Sequence, residues 1–228
     1  AHALDREDDV VIARSLTAML RAARTVVSRN QALINDPAIG DKGLSGKKVL
    51  ADALAIYKET TQVDPKSIPA GSRHAKLLRA QQDAIVEVID ANQSTLNQTG
   101  VAFKGFIPST AARLINEAFA KRASEDAVVK VTAPEPLIRN RKSRPDEWEA
   151  KTIRDKLRAA DWPRNQSVSD TISSQGREAF RFASPEYYAP SCLSCHGGPK
   201  GQIDVTGYPK EGASEGDLGG VISVTLFR

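Results

Sequence analysis

Two cysteines placed three residues apart, with a histidine directly after the second, constrain the fold of this chain more than any other feature. Residues 192–196 read Cys-Leu-Ser-Cys-His and contain both cysteines of the 228-residue sequence. Pro190 lies before this segment and residues 197–199 read Gly-Gly-Pro, which is typical of a loop between regular elements. The chain therefore has to fold so that two thiols and one imidazole face a common ligand from a single loop.

This spacing predicts covalent attachment of one haem c through the thiols of Cys192 and Cys195. The imidazole of His196 is then expected to bind the iron from one face, as histidine does in many haem proteins. A redox-active dithiol, half of a zinc site and a structural disulfide remain alternatives. A redox dithiol is expected between a strand and a helix. A zinc site needs further ligands, and only His2 and His74 remain among the histidines.

Apolar residues recur every three or four positions through the first hundred residues, which predicts long amphipathic helices. We expect helices over residues 9–35, 45–61 and 73–96, because Pro37 and Pro65 follow the first two patterns and a proline disfavours helix in the residue before it. The helical pattern predicts that this part of the chain is built from helices packed on one another.

Strand signals dominate the rest of the chain after one further helix, which Ser109 is predicted to cap. Residues 127–133 are rich in valine and threonine, and residues 177–183 and 221–227 alternate between apolar and polar side chains. Residues 146–149, Asp-Glu-Trp-Glu, match a capping box that opens another helix. The helices lie in the first part of the sequence and the strands, expected to form a small antiparallel sheet, lie in the last part. This order predicts an α+β fold.

We expect one haem-carrying domain over residues 1–228, with a helical part at 1–100 and a sheet part with the haem loop at 101–228. The net charge of +4 comes without a block of like charges, so nucleic acid is not expected as a partner. No apolar run approaches the roughly 20 residues that cross a bilayer. Haem c is normally attached outside the cytoplasm, so we expect a periplasmic protein whose export signal has been removed.

Six segments of the sequence resemble a bacterial haem c family with a PAS-like fold. They are residues 103–108, 130–134, 139–149, 187–201, 204–212 and 216–224. The resemblance implies a periplasmic single-haem protein in which long N-terminal helices pack on a PAS-like antiparallel sheet, with the haem loop between the last strands. Members of the family occur as secreted haem proteins and as extracytoplasmic sensor domains, which implies redox or small-ligand sensing.

Basic and aromatic residues in the resembling segments are candidates for the haem pocket. Arg139 and Arg141, with Lys130 as a further candidate, are able to pair with the haem propionates, because cationic side chains match carboxylates. A solvated basic loop is the alternative. Tyr187 and Tyr188 precede the motif and are candidates for lining the pocket or bonding a propionate, with ordinary packing as the alternative.

The second axial ligand of the iron is not evident from the sequence. Met19, the only methionine, is one candidate for this ligand, and packing in the core on the first helix is its alternative role. His74, near the start of the third predicted helix, is the other candidate, and its alternative role is that of a solvated surface histidine. Some members of the resembling family use a cysteine, and this chain departs from that pattern because it has no third cysteine. A further alternative is therefore an open distal site, in which no side chain of the protein binds the iron opposite His196.

Three functions are compatible with a single haem c in a chain of this size. The first is sensing of redox state or of a small gaseous ligand, which requires a separate signalling partner. The second is electron transfer with a redox partner. The third is a peroxidase-type enzyme, which we place last because no distal pair of histidine and arginine is recognisable in the sequence. The choice depends on the site, because a fold alone does not determine function.

Overall fold

The computed structural model describes residues 2–174 and 176–228, leaving out the side chains of residues 2–7 and 174. The described residues divide into two compact units. Unit 1 comprises the residues up to Val129, together with Ser173–Phe180 and Val224–Arg228. Unit 2 comprises Lys130–Ile172 and Arg181–Ser223. The single domain divided at residue 100 stays a prediction.

Within the described residues the chain forms eight α-helices and four β-strands. They are α1 (His2–Arg29), α2 (Gln31–Ile34), α3 (Gly46–Thr61), α4 (Arg73–Ala91), α5 (Gln93–Leu96), α6 (Pro108–Ala123), α7 (Glu147–Thr152), α8 (Leu193–His196), β1 (Ala127–Thr132), β2 (Val168–Ser174), β3 (Arg177–Tyr187) and β4 (Leu218–Phe227). The strands form one antiparallel sheet in the order β1-β4-β3-β2. The α+β class expected from the sequence is confirmed.

The helices of unit 1 pack on one another through the apolar faces that the sequence pattern predicts. Helix α1 contacts α3, α4 and α6, and α4 also contacts α3 and α6. Leu16, Met19 and Leu20 of α1 are fully buried, as are Ile85 of α4 and Phe119 of α6. Burial of these side chains supplies the main driving force for folding of this unit. None of the helices in the described part of the chain is long and apolar enough to cross a membrane.

Two helices end earlier than predicted, and an asparagine lies at each break. Helix α1 stops before Asn30 and α4 stops before Asn92, and a short helix of four residues follows each of them. The side-chain amide of Asn30 donates to the carbonyl of Val26 at 2.8 Å, and that of Asn92 donates to Val88 at 2.7 Å. Such side-chain bonds compete with the main-chain hydrogen bonds of a continuous helix.

The starts of the helices follow the sequence signals with two exceptions, of which one is that α1 begins at His2 and not at residue 9. Ser45 caps α3, and Asp146 and Glu149 form the predicted capping box at the start of α7. The prediction that Ser109 caps the next helix is wrong, because α6 begins at Pro108. Proline is favoured at the first helical position, where its missing N–H costs no hydrogen bond, so the helix starts two residues earlier than a cap at Ser109 implies.

Unit 2 has a small apolar core of its own. Its buried members are Ile153, Leu157, Val168, Ala183 and Val221, with Trp148, Trp162 and Leu218 partly buried against them. Helix α7 continues into a π-helical turn over Ile153–Leu157, which supplies the first two buried residues. This core joins the α7 region to strands β2, β3 and β4 and so supports the ends of β3 and β4 that flank the cysteine motif.

A buried charge network reinforces the same region of unit 2. The guanidinium of Arg181 in β3 donates to Asp146 at 2.8 Å and to Glu149 at 3.3 Å. It also lies over the ring of Trp148, 4.7 Å from the centroid. The side chain of Glu149 is 1% exposed and accepts a further bond from Lys130 at 2.7 Å. Each buried charge therefore has an oppositely charged partner, as burial requires.

Candidate functional site

The cysteine motif forms one short helical turn after strand β3. A turn of 3-10 helix, Pro190–Cys192, leads into α8, and His196 is the last residue of α8. Cys192 and Cys195 are free thiols, and both are partly exposed. Residues three apart on a helical turn lie on the same side of it, so the two thiols are presented together.

The histidine of the motif is held by a carboxylate. His196 Nδ1 lies 2.7 Å from Glu211 Oε2, and the side chains are 28% and 12% exposed. Among the described residues, no hydrogen bond is made by the other ring nitrogen, Nε2. A proton on Nδ1 that is donated to Glu211 leaves the lone pair of Nε2 for a metal. The hydrogen bond therefore fixes one ring nitrogen and leaves the other able to bind a metal.

Arg139 joins this carboxylate to the backbone of the motif. Its Nε donates to Glu211 Oε1 at 2.7 Å, and its Nη2 donates to Glu211 Oε2 at 3.2 Å. The same Nη2 donates to the carbonyl of Cys195 at 2.8 Å, and Nη1 donates to Asp204 Oδ2 at 2.7 Å. A planar guanidinium suits this two-point contact with a carboxylate. Arg139 therefore fixes Glu211 relative to the residue before His196.

The charges of this group are stabilised by one another. Burial raises the pKa of Glu211, but hydrogen bonds from Arg139 and His196 outweigh it and hold this pKa below its usual value. Burial lowers the pKa of Arg139, but Glu211 and Asp204 outweigh it and raise the pKa of the guanidinium. Glu211 is therefore ionised at neutral pH and acts as a hydrogen-bond acceptor towards the histidine.

Asp204 organises the loop that follows the motif. Its carboxylate is buried, and Oδ1 accepts bonds from the backbone N–H groups of Thr206 at 2.8 Å and Tyr208 at 3.0 Å. Gly207 has a φ of +87°, a left-handed conformation that suits glycine in this tight turn. Burial raises the pKa of Asp204, but bonds from Thr206, Tyr208 and Arg139 hold it well below the usual range.

Tyr188 packs on the imidazole of the motif. The rings of Tyr188 and His196 are stacked, with centroids 4.9 Å apart and planes at 22°. Burial and the negative charge of Glu211 raise the pKa of Tyr188 to about 12, so its hydroxyl stays neutral. The ring lies against Gly219, where a Cβ atom would be 2.5 Å from Tyr188 Cε1. Tyr188 therefore limits the orientations open to the His196 ring.

The backbone after the motif is tied back to the following loop. The carbonyl of His196 accepts from Ala213 N at 2.8 Å, and that of Gly197 accepts from Gly212 N at 3.0 Å. A Cβ atom at Gly197 would lie 2.6 Å from the carbonyl oxygen of Leu193, so this position has no room for a side chain. These contacts hold the end of α8 in place.

The other pocket candidates in unit 2 have partners outside the motif. The hydroxyl of Tyr187 accepts from Asn165 N at 3.2 Å, and the guanidinium of Arg164 lies 4.0 Å from its ring centroid. Arg141 is exposed, and Lys130 bonds to Glu149. Of the predicted pocket residues, the structure therefore brings Arg139 and Tyr188 to the motif. The propionate contacts expected of the basic residues stay predictions.

The two candidates for the distal ligand both belong to unit 1, whereas His196 belongs to unit 2. Met19 is 0% exposed, so packed side chains enclose its sulfur, and this favours the role in core packing. His74 is half-buried, and its Nε2 is buried without a hydrogen-bond partner in the described part of the chain. Burial lowers the pKa of His74 although Asp8 opposes the shift. The side chain of His2 lies outside the described residues.

Sequence reasoning did not assign roles to Glu211 and Asp204, which are central to the site. A metal-binding histidine usually donates its second N–H to a carboxylate or carbonyl. That rule favours an acidic residue as the partner of His196, and the loop after the motif contains several, which also include Glu215 and Asp217. Choosing Glu211 among them requires the folded loop.

The donor set fits a haem better than a zinc ion. No group of three or more metal-binding side chains converges on one point within the described residues, although Cys192, Cys195 and His196 are close in sequence. Tetrahedral zinc needs such convergence. A haem does not, because the thiols bond to the edge of the macrocycle and the imidazole bonds to its centre. The free thiols and the oriented His196 therefore fit covalent haem attachment.

Comparison with known proteins gives one family match. A family model described as Tll0287-like matches residues 7–226. No curated protein and no solved structure matches the chain. The PAS-like character of the sheet therefore stays a prediction.

Proposed function

Because the chain belongs to the Tll0287-like family of cytochrome c-like domains, we propose that it is a periplasmic, mono-haem c-type cytochrome. Cys192 and Cys195 would hold the haem covalently, each by addition of its S–H across one vinyl C=C bond, and His196 would bind the iron through Nε2. The haem would supply one-electron redox chemistry and an iron atom able to bind a small ligand.

The observation that carries this proposal is the hydrogen bond between His196 Nδ1 and Glu211 Oε2, 2.7 Å long. It leaves Nε2 as the unprotonated ring nitrogen, and His196 ends the short helix that contains Cys195 and follows directly after Cys192. Tyr188 restrains the ring by stacking, and Arg139 holds Glu211 in place. These residues orient the ligand, whereas the two thiols anchor the cofactor.

We further propose that the protein senses redox state or a small ligand and passes the signal to a separate partner. Unit 2 has no methionine, no second histidine and no cysteine outside the motif. Met19 is enclosed in the core of unit 1. The strong ligands that favour electron transfer are therefore scarce, which supports an open position opposite His196.

Covalent attachment is tested by expressing the full chain together with a cytochrome c maturation system. We expect the haem absorbance to stay with the protein after acid-acetone extraction, in a ratio of one haem per chain. The double variant Cys192→Ala, Cys195→Ala should lose it completely, whereas Ser194→Ala between them should retain it. Covalent haem on the double variant would overturn the proposal.

The distal position is tested by reducing the purified haem protein and adding CO. An open site predicts a high-spin ferrous spectrum that changes on CO binding. A reduced spectrum that is six-coordinate, low-spin and unaffected by CO would instead make the protein an electron carrier. Fractionation of cells that produce the natural full-length protein tests the periplasmic location.

A further inference from the structure

Glu211 and Arg139 are placed to control the electron density of the iron-binding histidine. We propose that Glu211 is a positioning residue that lowers the reduction potential through His196, and that Arg139 limits this effect by competing for the same carboxylate. The inference rests on the proposed function, and it adds a means by which the chain sets the potential of its own redox centre.

The contact between His196 and Glu211 has the features of a strong hydrogen bond. The donor and acceptor atoms are 2.7 Å apart, and the acceptor is a carboxylate, which makes the bond charge-assisted. Glu211 is 12% exposed, so little water competes for its oxygens. A carboxylate that draws the Nδ1 proton makes the imidazole more basic at Nε2. A more basic ligand stabilises the oxidised metal and so lowers the reduction potential.

Arg139 acts on the same oxygen atom as the histidine. Its Nη2 lies 3.2 Å from Glu211 Oε2, which is the oxygen bonded to His196, and its Nε lies 2.7 Å from Oε1. A cation that shares an acceptor withdraws electron density from it, so Arg139 weakens the pull of Glu211 on the histidine proton. The two residues therefore act in opposite directions on the imidazole.

Asp204 holds Arg139 in the competing position. Its Oδ2 accepts from Arg139 Nη1 at 2.7 Å, and the carboxylate is itself fixed by the backbone of its own turn. Tyr208 lies on the face of the guanidinium, with its ring centroid 4.5 Å from Cζ. Because Arg139 has partners on its edge and on its face, it cannot swing away from Glu211. The balance between Arg139 and Glu211 is built into the fold.

The test compares reduction potentials of the haem-loaded protein and three variants. Glu211→Gln removes the charged acceptor, and we expect the one-electron equilibrium to shift about tenfold towards the reduced form, a rise of about 60 mV. Arg139→Lys keeps the positive charge but loses the two-point contact. This variant should leave Oε2 to accept from His196 alone. We expect it to lower the reduction potential by about half the amount by which Glu211→Gln raises it. A purely electrostatic effect of total charge predicts no change for Arg139→Lys.

Glu215→Gln is the matched control, because it removes one negative charge from an exposed side chain of the same loop. We expect less than half the rise in reduction potential caused by Glu211→Gln. In the ferrous protein, the iron–histidine stretching frequency should fall in Glu211→Gln, rise in Arg139→Lys and stay at the wild-type value in Glu215→Gln. Circular dichroism of each variant verifies that it is folded.

The inference is overturned if Arg139→Lys leaves the reduction potential unchanged, or if Glu215→Gln raises it as much as Glu211→Gln. Either result would leave the proposed function intact, because covalent haem would still be present on all proteins. Absence of covalent haem from the wild-type chain would overturn both proposals. The extraction assay is therefore performed before the potentials are measured.

Discussion

Gly219 lies directly against the ring of Tyr188, with no space between them for a methyl group. A Cβ atom at Gly219 would be 2.5 Å from Tyr188 Cε1 and 2.7 Å from Cδ1. Because Tyr188 also stacks on His196, the missing side chain at Gly219 decides where the ring beside the histidine lies. The atoms in contact belong to a rigid aromatic ring and not to the end of a flexible side chain, so Tyr188 cannot easily make room for a methyl group.

The first prediction is therefore that Gly219→Ala destabilises the protein. Overpacking of this kind costs about 1–3 kcal/mol, because the ring and the strand have to shift. Urea unfolding followed by circular dichroism measures the loss. Gly40→Ala is the control, since the nearest side-chain atom to its Cβ would be 3.5 Å away, an ordinary contact. Equal stability of the two variants would contradict the packing described for Tyr188.

The second prediction concerns Arg181, whose side chain is 9% exposed and bonds to Asp146 and Glu149. Arg181→Met leaves the carboxylate of Glu149, 1% exposed, with Lys130 as its remaining charged partner. Breaking a buried pair in this way costs about 3–5 kcal/mol. Urea unfolding should show this loss. Arg154→Ala removes the exposed pair with Asp155 and should leave the unfolding midpoint unchanged within error.

The third prediction concerns acid stability and follows from the lowered pKa of Asp204. A carboxyl group whose pKa is lower in the folded state than in the unfolded state stabilises the fold at pH above the unfolded value. This stabilisation is lost as the pH falls from the ordinary aspartate pKa of 3.8 through the lower pKa of the folded state. Asp204→Asn should therefore show a shallower decrease of unfolding free energy between about pH 5 and pH 2.

Asp217→Asn is the matched control for the pH experiment. Asp217 is an exposed carboxylate of the same loop, and it accepts one bond, from Ser214 N at 2.8 Å. The substitution removes the same charge. If Asp217→Asn flattened the pH dependence as much as Asp204→Asn, the buried turn around Asp204 would not be the source of the effect.

The fourth prediction is that Met19→Leu leaves the spectra of the haem protein unchanged. Met19 is fully enclosed in α1 and its neighbours, and a swap that conserves volume costs less than about 1.5 kcal/mol. Absorption spectra of the oxidised and reduced forms measure the coordination of the iron. A shift of the Soret band in Met19→Leu would show that the methionine binds the iron and that the core of unit 1 rearranges to allow it.

Local patterns in the sequence were sufficient to predict most of the secondary structure. The helical face of α1, the helix over residues 45–61 and the capping box at Asp146 depend on residues within a few positions of each other. Strand β2 was not predicted as a separate strand, because Ser169, Asp170 and Thr171 interrupt its apolar pattern. Its place at the edge of the sheet is determined by pairing with β3.

The site was predictable only in part, for a different reason. The motif predicts haem attachment from five consecutive residues, but the partner of His196 lies 15 residues further along an irregular loop. Arg139, which fixes that partner, is 72 residues before it. The sequence also could not separate Tyr187 from Tyr188, because β3 ends at Tyr187 and only the folded chain shows which of the two rings lies beside His196. Long-range contacts of this kind leave no local signature.

The ties that hold the end of α8 have a consequence for how the histidine is aimed. The carbonyls of Cys195, His196 and Gly197 are each bonded to a residue outside the motif, namely Arg139, Ala213 and Gly212. Three consecutive carbonyls are thus anchored to other parts of unit 2, so the end of α8 unwinds only if these bonds break. The direction of the His196 ring is therefore a property of the whole loop and not of the histidine alone.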